Sequence, residues 1–82
     1  MEFGYWLKQQ RESKGVTQRD LAKALGCSKQ YVSYLETGRK RVNAISLPSH
    51  QMQLKMMDYF GVGSTEISTV ILNTKRNDLQ KV

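Results

Sequence analysis

Cysteine, proline, histidine and tryptophan each occur once in these 82 residues. The single thiol, Cys27, excludes an internal disulfide framework and is what a reducing compartment such as the cytoplasm leads one to expect. With His50 the one imidazole, a structural zinc site would need an unusual set of carboxylates, so no metal and no cofactor are expected. Cys27 has no histidine near it in sequence to serve as a base, and paired carboxylates are lacking, so an enzyme is not expected either. No apolar run approaches the roughly 20 residues that cross a bilayer. Met1 to Leu7 carries Glu2 and leads straight into polar residues, which does not read as a signal peptide. Internal repeats and low-complexity tracts are missing too.

What is present is positive charge. Thirteen Lys and Arg against seven Asp and Glu give +6, an excess that favours polyanions, either nucleic acid or an anionic membrane surface. A chain of this length holds one core. A domain so small is marginally stable and often gains buried surface by pairing with a copy of itself.

Helical punctuation recurs along the chain. Phe3 to Lys14 reads as a helix with Phe3 and Leu7 on one face, closed by Gly15. Thr17 opens a second helix, with Asp20 placed to complete a capping box and Leu21, Ala22 and Leu25 as its apolar stripe. Gly26 ends it. Ser28 opens a third helix that buries Val32 and Leu35 and stops at Gly38. Pro48 suits the first turn of a fourth helix reaching about Phe60, with Leu54, Met57 and Phe60 as its core face and Met56 and His50 adjoining. The segment 66–72 stays open. A fifth helix there would bury Ile67, Val70 and Ile71, whereas its β-branched richness argues for a strand. Residues 73–82 read as a polar, basic tail that frays.

Two short helices make a helix-turn-helix only if certain positions are small or apolar, and residues 17–37 meet each demand. Ala22 is small where the helices cross. Gly26 stands where the turn needs positive φ. Leu21, Leu25, Val32 and Leu35 seal the angle, and no proline interrupts either helix. This combination resembles the family of lambdoid phage repressors and Cro proteins, often called the XRE family. Upstream, Phe3-Gly4-x-x-Leu7-x-x-x-Arg11 and Lys14-Gly15-Val16-Thr17-Gln18 are similar to that family's first helix and its entry into the motif. Leu35-Glu36-Thr37-Gly38 is similar to its exit. The resemblance covers residues 3–41. It implies an all-α, lambda repressor-like DNA-binding domain of four to five helices over residues 1–72, with a short C-terminal β-strand at the dimer interface as the alternative end.

A helix fits the major groove, where base edges present distinct donor and acceptor patterns. The outward residues of the third helix, Ser28, Lys29, Gln30, Tyr31, Ser33 and Tyr34, are therefore the candidate base readers. Gln30 suits adenine, Lys29 suits guanine O6 or N7, and the tyrosines offer a hydroxyl and a ring for a thymine methyl. Gln18 and Arg19 begin the second helix, where backbone N–H groups favour an anion and where the resemblance implies a glutamine that holds a phosphate and braces the recognition helix. Arg39, Lys40, Arg41 and Asn43 leave the third helix toward flanking phosphates, contacts that add salt-dependent affinity without reading sequence. The resemblance further implies a scaffold salt bridge between Arg11 and Glu36. It also implies dimerisation through about residues 60–72, here Phe60, Val62, Ile67, Val70, Ile71 and Leu72, on a palindromic operator.

Some positions depart from the family pattern. The stretch from Gly38 to Gly61 is longer than usual, Gln10 replaces an apolar residue, and Tyr5 and Trp6 are large aromatics that cover the C-terminal segment or form a partner patch. The leading expectation is a homodimeric transcriptional regulator, repressor or activator, that binds double-stranded DNA. The alternative is an antitoxin that binds its promoter and also a toxin, with Tyr5 and Trp6 as the toxin site.

Overall fold

A computed structural model describes residues 2–38 and 47–80. They form α1 (Phe3–Ser13), α2 (Gln18–Leu25), α3 (Lys29–Thr37), α4 (His50–Phe60) and α5 (Ser64–Gln80), with no strand among the described residues.

Side-chain caps set the starts of three helices. The Thr17 hydroxyl accepts from the Asp20 N–H at 3.1 Å, and the Asp20 carboxylate accepts from the Thr17 N–H at 3.3 Å, the reciprocal pair that the sequence predicts. Ser28 caps α3 through the Tyr31 N–H, and Ser49 caps α4 through the Met52 N–H. Pro48 is thus not inside the first turn of α4. It precedes the cap and is buried. Gly26 adopts φ +72°, and the Cys27 N–H donates to the Ala22 carbonyl at 2.9 Å, so the chain reverses between α2 and α3 within three residues.

The core is one cluster in which Phe3, Leu7, Leu21, Leu25, Val32, Leu35, Met56 and Ile67 are fully buried. Within it, α1 packs on α3 and α5, and α2 packs on α3 and α4. Gly4 makes the α1–α3 contact possible. A Cβ there would lie 2.4 Å from the Glu36 carbonyl oxygen and 2.7 Å from that of Leu35, closer than side-chain carbons approach backbone. The first helix therefore rests directly on the last turn of α3.

Two further expectations need correction, and one alternative left open is decided. On α4 the core residue is Met56, flanked by the half-buried Met52, Met57 and Phe60, while Leu54 is 49% exposed. Met52, Met56 and Phe60 recur at intervals of four and so lie in one row, and Leu54 falls on the opposite side. The helix has apolar residues all round, and only packing selects the face. Segment 66–72, left open between helix and strand, is helical. Ile67, Val70 and Ile71 at i, i+3 and i+4 turn one stripe inward, where a strand would split them between two faces, so packing overrides β-propensity. Nor does the helix stop at residue 72; it continues to Gln80. Thr74 extends the buried stripe by one turn: its hydroxyl accepts from the Phe3 N–H at 2.7 Å and donates to the Val70 carbonyl at 2.9 Å.

Candidate nucleic-acid interface

Ser28, Lys29, Gln30 and Tyr34 are exposed on α3, and Ser33 is half-buried beside them. Their outward disposition follows from Val32 and Leu35, which anchor the opposite side of the helix in the core. Tyr31, the remaining residue of the expected set, is less exposed than Ser28, Lys29, Gln30 and Tyr34. Its ring is half-buried against the core, and burial pushes its phenol up, as does Cys27, while the Ser49 backbone opposes them. Tyr31 therefore links the first turn of α3 to the cap of α4. Arg39, Lys40, Arg41 and Asn43 lie outside the described residues.

Behind α3 the buried carboxylate of Glu36 gathers three helices. Its Oε2 accepts from Arg11 Nε at 2.7 Å, and its Oε1 accepts from Arg11 Nη2 at 3.2 Å and from Gln18 Nε2 at 3.0 Å. The Glu36 side chain is 4% exposed and that of Arg11 13%. Arg11 Nη1 also donates to the Val16 carbonyl at 3.0 Å, so the same guanidinium fixes the approach to α2. The Glu36 hydrogen bonds raise the Arg11 guanidinium above its ordinary value, with burial acting against them. The Arg11–Glu36 bridge is thus present, and it carries an additional partner, Gln18.

In front of this network lies an open cleft of about 480 Å³, lined by Arg11, Val16, Thr17, Gln18, Arg19 and Lys29 among others. It brings the first turn of α2 beside the first residue of α3. Three of its lining residues are cationic and none is acidic. Of the carboxylates adjoining it, Asp20 accepts from the Thr17 N–H and Glu36 is bonded to Arg11 and Gln18. Cations and a helix N-terminus together favour an anion.

The expected dimerisation set is mostly absorbed within the monomer. Ile67, Val70 and Ile71 are buried, and Phe60 and Val62 pack partly against the same core. Leu72 alone of the six is exposed, at 54%, next to Thr65, Ser68 and Thr69 on the outer side of α5. The pair Tyr5 and Trp6 also divides. Trp6 is 4% exposed, and its ring lies 5.6 Å from that of Phe3 and 6.2 Å, edge-on, from that of Phe60. Its Nε1–H donates to Glu66 Oε2 at 2.9 Å. It covers the C-terminal helix and is unavailable as a partner patch, whereas Tyr5 stays exposed.

Sequence reading missed Glu66 and Thr74, polar partners for α1 whose spacing carries no signal. It also missed the donation of Lys55 Nζ to the Leu25 carbonyl at 3.4 Å, which ties α4 to the end of α2. Among the described residues no group of three or more potential metal ligands occurs, and no helix is long and apolar enough to cross a membrane.

The sequence profile of a family described as a helix-turn-helix domain matches residues 2–69. The chain belongs to that family. The match extends past the motif through α4 and into α5, so the longer stretch after Gly38 lies within the family's span. No curated protein and no solved structure matches the chain.

Proposed function

We propose that this helix-turn-helix chain is a transcriptional regulator that binds double-stranded DNA sequence-specifically as a homodimer. The supporting observation is the pairing of an outward polar helix with a cationic cleft at its base. Ser28, Lys29, Gln30 and Tyr34 are exposed on α3, and Arg19, Lys29 and the first turn of α2 converge beside them.

In this reading α3 enters the major groove by its N-terminal half. Gln30 pairs with adenine, Lys29 donates to guanine, and Tyr34 contacts a thymine methyl, with Ser28 and Ser33 adding hydroxyls. The cleft takes a backbone phosphate through Gln18 and Arg19, while Arg39, Lys40, Arg41 and Asn43 meet flanking phosphates. Because Ile67, Val70 and Ile71 serve the monomer core, the pairing surface is the outer side of α5 around Leu72. Two-fold pairing places the recognition helices about 34 Å apart on an inverted repeat. Selection of bound sites from random duplex DNA tests the reading. The expected result is an enriched inverted repeat, and the opposing result is binding with no preference for any duplex over heparin.

A further inference from the structure

We propose that Glu36 is a positioning residue for backbone binding: its buried carboxylate holds the Gln18 amide with one Nε2 hydrogen turned to the cationic cleft. The inference rests on the cleft being a phosphate site.

An ionised carboxylate only accepts hydrogen bonds, so Gln18 must face Glu36 with its nitrogen rather than its oxygen. The 3.0 Å bond from Nε2 to Glu36 Oε1 therefore fixes both the rotamer and the sense of the amide. One hydrogen lies on Glu36, the planar amide holds the other away from that oxygen, and Gln18 lines the cleft with Arg19 and Lys29. A bare carboxylate so near would repel a phosphate. Arg11, bonded to both carboxylate oxygens and to the Val16 carbonyl, cancels that charge. The local positive field is left to Arg19, Lys29 and the helix end, and the Arg11–Glu36 pair acts as a neutral clamp.

Two consequences separate this role from simple packing. A side chain ordered before binding loses less entropy on binding, so the clamp raises affinity without touching DNA. Glu36 belongs to α3 and Gln18 opens α2, so a phosphate gripped by Gln18 also sets how deeply α3 sits. The clamp makes no base contact and acts alike on every sequence.

The test compares the wild type with Gln18→Ala, Glu36→Gln and the double variant, by fluorescence anisotropy on a selected duplex and a random one, with unfolding midpoints measured separately. Each single variant is expected to weaken both duplexes on the order of fivefold, and the double variant no further than either single. Losses that multiply in the double variant, or wild-type affinity in Glu36→Gln, overturn the role. A readout independent of folding variants is the Gln18 side-chain amide signal of the wild type. One Nε2 proton should be protected from exchange without DNA, and the other should shift as a short duplex is added; two unprotected, unmoving protons contradict the clamp. A wild type that binds no duplex overturns the DNA reading and this role with it, whereas multiplying losses in a protein that binds overturn this role alone.

Discussion

The two ends of the molecule are held by different physics. The α1–α2–α3 corner is fixed by a buried charge network, one reciprocal cap at Thr17 and a backbone approach that tolerates no side chain at Gly4. The α5 end is held by an apolar stripe with two polar ties, Trp6 to Glu66 and Phe3 to Thr74. Directional bonds specify one geometry, which a reading surface needs if its side chains are to meet base edges in register. Apolar burial tolerates side-chain changes that conserve volume, which suffices to close the core at an end that holds no reading surface.

The largest expected effect strikes the directional end. Glu36→Ala strands Arg11 and leaves Gln18 without its acceptor, and should cost about 3–5 kcal/mol in chemical denaturation, the range for breaking a buried pair. At the apolar end, Ile67→Ala should cost about 3 kcal/mol through lost burial and a residual cavity. Equal sensitivity to small volume changes at both ends would erase the contrast, and Gly4→Ala and Ile67→Val sharpen it. Gly4→Ala adds one methyl against the α3 carbonyls and should cost about 2 kcal/mol as overpacking. Ile67→Val should cost about 1 kcal/mol. Arg19→Ala, on the exposed rim of the cleft, should leave the unfolding midpoint nearly unchanged, weaken all duplexes alike and flatten the salt slope by about one unit. Leu72→Glu should alter monomer stability least, within about 0.5 kcal/mol, yet shift sedimentation from dimer to monomer. A dimer that survives this change would move the pairing surface off α5.

The same contrast explains what could be read in the chain. Thr17, Asp20, Ala22, Gly26, Ser28 and the Leu/Val positions each answer a local geometric demand, so α2, the turn and α3 are legible in the sequence alone. Arg11–Glu36 came only from family resemblance, as did a bracing role for Gln18, and the Gln18 bond to Glu36 came from the structure. On α4 the apolar residues surround the helix, and neither the Met56 face nor the Ser49 cap could be chosen over the Leu54 face and Pro48. At α5 the β-branched run hid a helix whose stripe makes sense only once α1 is there to receive it. Tyr31 looked like its neighbours on the reading face because nothing local announces the α4 cap behind it.

The claim on which the functional account turns is that the exposed side of α3 reads bases. Site selection from random duplex DNA with Gln30→Ala beside the wild type tests it most directly. The account predicts that the variant still binds but loses preference at one position in each half-site, with the remaining positions unchanged. Recovery of the wild-type operator at full information by Gln30→Ala, and likewise by Lys29→Ala, would contradict it.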